Sequence, residues 1–127
     1  MISYRDSPDN HVKVAKCLNA ACTGGAVVTT VDGQDDSVGP YSSIAIGTDG
    51  MPIISYQNFT GASLMVAHCI DTDCVLPADR TTLDRPANNV GPFTSIAIGA
   101  DGLPIVSYYD GTADALKVAK CGTRSCQ

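Results

Sequence analysis

Tryptophan and glutamate are absent from this sequence, and basic residues are few. The chain of 127 residues has 8 Lys and Arg against 13 acidic residues, all of them Asp, which gives a formal charge of −5. Proteins that bind a nucleic-acid backbone need clustered Lys and Arg, so this balance excludes nucleic acid as a partner. Apolar residues form no run of about 20, the length that a membrane-spanning helix needs, so membrane insertion is not expected.

Residues that favour helices are also scarce. Without Glu and with six Leu, the sequence has few strong helix formers, whereas Val, Ile, Thr and Tyr are plentiful. The apolar fraction of 44% is too high for a disordered chain. We therefore expect a folded, all-β protein.

The sequence repeats every 52 residues without a gap. The segment Ser43–Gly47 reads Ser-Ile-Ala-Ile-Gly and recurs at Ser95–Gly99, and in both places an Asp-Gly pair follows one residue later. This period divides the chain into repeat unit 1 (residues 1–52), repeat unit 2 (residues 53–104) and a partial repeat unit 3 (residues 105–127).

Each unit predicts four short antiparallel strands. Asp49-Gly50 between two apolar runs is typical of a hairpin, which would join the first strand to Pro52–Tyr56. The third strand is Leu64–Cys69, and the fourth lies around Thr81–Leu83. Both faces of the first two strands are apolar, which predicts burial between sheets, and the outer two strands are more polar.

Four strands in about 50 residues, repeated, match the size of a β-propeller blade. The unit Ser-Ile-Ala-Ile-Gly-x-Asp-Gly-x-Pro-Ile-x-Ser-Tyr, followed by Leu-Lys-Val-Ala-Lys-Cys, resembles the tandem β-propeller-type repeats of secreted bacterial proteins over the whole chain. The resemblance implies four-stranded antiparallel blade-like repeats of β-propeller type, about two and a half units per chain, and implies no activity. The sialidase box and the WD40 signatures are absent. A β-solenoid or a stack of small sheets fits the same period.

Six cysteines stand in three pairs, each with four residues between its members, at the end of the third strand. Such loops bring two Cα atoms within disulfide distance, whereas pairs one unit apart do not converge on a zinc ion. We predict three local disulfides, with zinc binding and free thiols as alternatives: Cys17–Cys22, Cys69–Cys74 and Cys121–Cys126. Disulfides predict an extracellular or secreted location, the periplasm included, although no signal peptide is visible.

Candidate catalytic residues are few. Asp49 and Asp101 are explained by the hairpin turns, and Asp32 and Asp84 are interpreted as turn residues at the end of the fourth strand. No hydrolase motif or phosphate-binding loop is present, so we predict neither an enzyme nor a cofactor.

A metal site is not predicted either. Residues 32–36 are rich in carboxylates, but the second unit has Asp84-Arg85-Pro86-Ala87-Asn88 there, which removes two charges and adds a cation. His11 and His68 occupy different repeat positions and are expected to face solvent.

Two loop classes are expected to share one face: the turn after each Ser-Tyr strand and the loop after the fourth strand. The turn varies within a constant framework, and its planar side chains suit sugar hydroxyl groups, so six residues are candidates for ligand binding: Arg5, Asp6, Gln57, Asn58, Tyr109 and Asp110. The alternative is that they are exposed turn residues free to vary. Tyr41 and Phe93 are expected to seal the entry to the first strand instead of contacting ligand.

The strand count predicts open sheet edges. Unit 1 lacks its first strand and unit 3 its fourth, which gives three, four and three strands, and open edges invite pairing with another chain. We expect a homo-oligomer, either ring or filament. The predicted function is an extracellular structural or adhesive module that self-assembles through its incomplete terminal blades. The alternatives are a glycan-binding propeller lectin, a fragment of a secreted hydrolase, and a fragment of a longer array.

Overall fold

The computed structural model describes residues 1–33, 37–85 and 89–127. These ranges contain ten β-strands, and they hold no helix that could span a membrane. In chain order, the strands are β1 Ile2–Arg5, β2 Val12–Cys17, β3 Ala26–Asp32, β4 Ser43–Ile46, β5 Pro52–Asn58, β6 Ser63–His68, β7 Asp79–Asp84, β8 Ser95–Ile98, β9 Pro104–Asp110 and β10 Ala115–Lys120. The prediction of an all-β fold is confirmed.

The strands form three separate antiparallel sheets. Sheet 1 is β1-β2-β3, sheet 2 is β4-β5-β6-β7 and sheet 3 is β8-β9-β10. The counts of three, four and three agree with the expected strands, but only sheet 2 is a four-stranded unit. Among the described residues, the three sheets also do not close into a propeller, because sheets 1 and 3 each leave one face without a neighbouring sheet.

The 52-residue period is kept in the register of the strands. The tyrosine of each Ser-Tyr pair lies opposite the equivalent residue of the next strand in all three sheets: Tyr4 opposite Lys13, Tyr56 opposite Met65, and Tyr108 opposite Lys117. A slip of one residue would exchange the two faces of a sheet. The common register therefore gives the three sheets equivalent faces.

We call these faces the tyrosine face and the serine face, because side chains alternate along a strand. The tyrosine face is the side of each sheet that carries Tyr4, Tyr56 or Tyr108, and the serine face is the side that carries Ser3, Ser55 or Ser107. One core joins the serine face of sheet 1 to the tyrosine face of sheet 2. The other joins the serine face of sheet 2 to the tyrosine face of sheet 3. The sheets thus stack in a single direction.

Burial is greatest in the second and third strands of sheet 2. Every residue of β5 is buried, as are all but one of β6, whereas no residue of β7 is buried and three of its six are exposed. The expected change from apolar inner strands to polar outer strands holds for β5 to β7. It is wrong for β4, which is only half-buried because sheet 1 has no equivalent strand to cover it.

A β-bulge brings an aspartate of one sheet to the tyrosine of the next. The register of β2 with β3 shifts opposite Val12, and that of β6 with β7 shifts opposite Leu64. An extra residue bends the strand and redirects its side chains. Asp32, just beyond the first bulge, is 3% exposed and accepts a hydrogen bond from the Tyr56 hydroxyl at 2.8 Å.

The second unit repeats this contact between sheets. The Tyr108 hydroxyl donates to Asp84 Oδ2 at 2.6 Å, and burial together with this bond raises the pKa of Tyr108. A cation completes each site: Arg80 pairs with Asp32, and Lys117 lies 3.8 Å from Asp84. The interpretation of Asp32 and Asp84 as turn residues is therefore wrong, because the bulge directs both toward the next sheet.

In each connection from a fourth strand to the next sheet, the described residues before the Gly-Pro pair lie between the two sheets. Val38 and Val90 are fully buried there and bridge to Asn58 and Asp110. Gly91 follows with a φ of +99°, and a Cβ at this position would lie 3.2 Å from the Leu64 Cα. Glycine is required here, because the main chain of the connection approaches that of the preceding sheet so closely.

Candidate functional site

The loops at one end of the stack are joined by main-chain hydrogen bonds. The Gly39 N–H donates to the Gln57 carbonyl at 2.9 Å, and the Phe59 N–H donates to the Ser37 carbonyl at 2.9 Å. The next repeat has the equivalent bonds at 3.1 and 2.9 Å, from Gly91 to Tyr109 and from Gly111 to Asn89. The two loop classes therefore lie side by side, as the sequence predicted.

Two of the six candidate ligand residues, Arg5 and Gln57, share a groove at this end. Arg5 Nη2 donates to Asn10 Oδ1 and lies 3.4 Å from Ser37 Oγ. Gln57 is only 1% exposed, and its Nε2 donates to Asn89 Oδ1 at 2.6 Å. These side chains come from different sheets, so the groove lies over the junction of sheets 1 and 2.

Three other candidates, Asp6, Asn58 and Asp110, bind to residues of their own hairpins. Asn58 Oδ1 accepts the main-chain N–H three residues later at 2.7 Å, and Asp6 pairs with Lys13. Asp110 is 2% exposed and pairs with Lys117 at 2.5 Å, which lowers the pKa of Asp110 to about 2. The structure therefore does not bring these three side chains into the groove with Arg5.

An exposed row of aromatic rings lies beside the groove. Tyr41 and Phe93 are 49% and 67% exposed, with ring centroids 4.4 Å apart, and Phe93 lies 6.3 Å from the ring of Tyr109, the sixth candidate. The expectation that Tyr41 and Phe93 seal the first strand is wrong. Both have a φ of +55°, which is unfavourable for a bulky residue. The hydrogen-bonded Gly-Pro segment before each ring holds it in this conformation.

We call the complete site the Arg5 groove. It has a volume of about 370 Å³ and is lined by Arg5, Ser37, Pro40, Tyr41, Gln57, Phe59, Asn89 and Pro92. Sequence reasoning found Arg5 and Gln57 but missed the aromatic wall of Tyr41 and Phe59. The signal for part of that wall was the Gly-Pro-aromatic segment, which recurs in both complete units.

The acidic segment considered as a calcium site lies partly outside the described residues, which exclude 34–36 and the counterpart 86–88. Across residues 1–33, 37–85 and 89–127, no three His, Cys or Asp side chains are grouped as a metal site requires. Asp32 and Asp84 instead bind the tyrosine of the next sheet.

His68 is not solvent-facing as expected. It is 9% exposed, and its Nε2 lies 3.0 Å from Asp49 Oδ2. Burial opposes ionisation of Asp49, but the Met51 N–H and His68 outweigh it and lower the pKa of that carboxyl. In sheet 3, Lys120 occupies the position of His68 and pairs with the equivalent Asp101. In sheets 2 and 3, the residue at this repeat position therefore pairs with the aspartate of the hairpin turn.

The six cysteines form the three predicted disulfides, Cys17–Cys22, Cys69–Cys74 and Cys121–Cys126. Their Cα atoms are 4.9, 5.1 and 4.7 Å apart. Each disulfide closes the loop at the end of the third strand of its unit. Such bonds persist in oxidising compartments, which indicates a non-cytoplasmic location.

No protein-family model matches the chain, and no curated protein shows significant similarity to it. The class of the protein therefore follows from its own structure. It is an all-β repeat protein, in which stacked antiparallel sheets each carry one disulfide and present a row of loops at one end.

Proposed function

We propose that this chain is an extracellular, non-enzymatic structural or adhesive module that assembles with further copies of itself, head to tail. The contact would join the tyrosine face of sheet 1 to the serine face of sheet 3 of the next copy. One observation supports this proposal: the two outermost faces of the stack are the repeat equivalents of faces that are buried inside it.

The outer serine face belongs to sheet 3. On it, Leu116 and Val118 are 77% and 59% exposed. The equivalent side chains of sheets 1 and 2 are all fully buried against the next sheet: Val12, Val14, Leu64 and Val66. An exposed apolar surface of this kind marks a site of interaction. These two repeat positions are thus buried in the two sheets that are followed by another sheet and exposed in the last one.

The outer tyrosine face belongs to sheet 1. Ile2 and Tyr4 are 54% and 36% exposed there. The equivalent pairs, Ile54 with Tyr56 and Val106 with Tyr108, are at most 4% exposed. At both junctions within the chain, a serine face packs against a tyrosine face. The two outer faces are one of each kind, so a second copy of the chain is the occupant that fits both.

The outer sheets also have open edges. In sheet 2, β5 and β6 are central strands, whereas their equivalents β1 and β10 form edges within the described residues. Contact between a serine face and a tyrosine face is heterologous, so repetition of it closes a ring or extends a filament. A closed ring would be a propeller-type assembly with its incomplete blades brought side by side.

Light scattering on the purified chain, coupled to size-exclusion chromatography, tests the proposal. A monomer has a mass of 13.1 kDa, and we expect a concentration-dependent mass several times larger. Leu116→Lys and Ile2→Lys each place a charge on one outer face and should return the chain to a monomer. Leu18→Lys is the matched control, because Leu18 is 65% exposed in a disulfide loop outside both faces.

Mixing the two face variants distinguishes a heterologous contact from a symmetric one. Leu116→Lys retains an intact tyrosine face and Ile2→Lys an intact serine face, so the mixture should form a dimer and nothing larger. A wild-type chain that stays monomeric at about 100 μM, a concentration well above the micromolar affinity of weak but specific interfaces, would refute the proposal. Assembly that survives both substitutions would do so as well.

A further inference from the structure

We propose that the Arg5 groove binds a sugar ring that carries a carboxylate. All the residues that line it belong to one chain, so this proposal does not depend on self-assembly. Three features of the groove support it: an exposed aromatic wall, a cation without a carboxylate partner in the described structure, and a polar floor.

The aromatic wall is formed by Tyr41 and Phe59. Phe59 is 62% exposed and Tyr41 49% exposed, and Phe93 extends the surface beyond Tyr41. Exposing rings to water and holding Tyr41 at a positive φ are both unfavourable. The main-chain bonds of the Gly-Pro segment maintain this geometry in both units, so the exposed ring of Tyr41 is available to the apolar face of a sugar ring.

The charge of the groove selects an anion. Among the lining residues that the structure describes, Arg5 is the only cation and none is acidic. No ion pair between Arg5 and a carboxylate occurs among the described residues. A guanidinium group binds a carboxylate through two parallel hydrogen bonds. In a chain with a net charge of −5, this arginine favours a ligand with one carboxylate over a polyanion.

The floor of the groove is polar. Gln57, which is 1% exposed, is held against Asn89, and the Ser37 hydroxyl lies beside Arg5. Gln57 is too buried to contact a ligand and instead holds Asn89 in place, so the exposed Asn89 amide and the Ser37 hydroxyl are the groups that would meet the hydroxyl groups of a sugar. The volume of about 370 Å³ lies at the small end of ligand sites. A single ring fits such a site better than an extended proline-rich peptide, which needs a longer aromatic groove.

The equivalent position over the junction of sheets 2 and 3 differs in the residues that carry this chemistry. There Gln57 takes the place of Arg5, and Gly111 takes the place of Phe59. Both the cation and part of the aromatic wall are thus absent from the second position. We therefore expect one acidic-sugar site per chain. Arg5→Gln and Phe59→Gly introduce the residues that the next repeat has at these positions, so the fold should accept both substitutions.

The test is an NMR titration of the ¹⁵N-labelled chain. The acidic probes are methyl glucuronide and a sialylated lactose, which carry the carboxylate on different sugars. Methyl glucoside and lactose are their neutral counterparts. A proline-rich peptide represents the competing class of ligand. We expect at least one acidic sugar to shift the amide signals of Tyr41 and Asn89. Arg5→Gln and Phe59→Gly should each weaken that binding about tenfold or more. Arg124→Gln, at an exposed arginine outside the groove, is the matched control.

Four outcomes would overturn the proposal. If no sugar shifts the groove signals, the site does not bind this class of ligand. If the neutral sugars bind as tightly as the acidic ones, or if Arg5→Gln leaves binding unchanged, the role of the guanidinium is wrong. If only the peptide binds, the groove recognises a peptide instead. Variants that keep the wild-type spectrum outside the groove exclude misfolding as the cause.

Discussion

Replacing Tyr56 by Phe tests the contact that joins sheet 1 to sheet 2. The Tyr56 hydroxyl is fully buried and donates to Asp32 Oδ2 at 2.8 Å, and the Asp32 side chain is 1% exposed. Tyr56→Phe leaves the ring in place but removes one donor from a buried carboxylate that water cannot reach. Hydrogen bonds to charged groups contribute about 1.5–3 kcal/mol, so we expect the free energy of unfolding to fall by about that amount.

The repeat provides two matched controls. Tyr108→Phe removes the equivalent bond to Asp84, whose side chain is 24% exposed, so water replaces part of the lost interaction. We expect a loss of about 0.5–1.5 kcal/mol there. Tyr4, on the outer face of sheet 1, is 36% exposed, and Tyr4→Phe should change stability by less than about 0.5 kcal/mol.

Urea denaturation, followed by circular dichroism at a concentration that keeps the chain monomeric, measures all three variants. The midpoints should fall in the order of burial, with the largest shift for Tyr56→Phe and an unchanged dependence on urea concentration. Equal losses for Tyr56→Phe and Tyr108→Phe would refute the reasoning, because the aspartate is more deeply buried at the first site and is paired directly with a cation there. A neutral Tyr56→Phe would show that the hydrogen bond contributes nothing net.

Two further predictions concern the disulfides and the titration of Asp110. Replacing the buried Cys69–Cys74 pair by alanines should destabilise the fold by about 2 kcal/mol from lost loop-closure entropy and by about 1 kcal/mol more from lost packing. Replacing the more exposed Cys17–Cys22 pair should cost only the loop-closure entropy of about 2 kcal/mol. Calorimetry under non-reducing conditions compares the two variants. The pKa of Asp110 is lowered from 3.8 to about 2, so its interactions stabilise the fold above pH 4 and are lost as the pH falls toward 2. Lys117→Met should raise the pKa of Asp110 but leave it below 3.8, because main-chain N–H groups still bind the carboxylate. NMR of the carboxyl carbon measures this shift. An unchanged pKa would contradict the role of Lys117.

Local chemistry made several features predictable. The Asp49-Gly50 pair forms its hairpin turn because glycine adopts a positive φ, here +81°, and the aspartate accepts the Met51 N–H. The disulfides followed from a spacing of four residues, which restricts each cysteine to its neighbour. Features of this kind depend on a few adjacent residues, and so they can be read from the sequence.

Contacts between sheets were not predictable in the same way. Asp32 and Asp84 end a strand and precede a loop, and such a position favours a turn in the sequence. Only the bulge, which is set by pairing with the preceding strand, directs them to a tyrosine 24 residues later. His68 looked like a surface residue for the same reason, since its partner Asp49 lies two strands away.

The sequence by itself determined the period, the all-β class, the strand count and the disulfide pairs, because each depends on spacing or on interactions between neighbours in the chain. The tertiary structure decided which faces are buried and which remain open, and it brought Arg5, Tyr41 and Phe59 together in one groove. The physical reason is that the same residue type at equivalent repeat positions is buried or exposed according to what covers it. Leu64 is fully buried and its equivalent Leu116 is 77% exposed, although the sequence around the two is nearly the same.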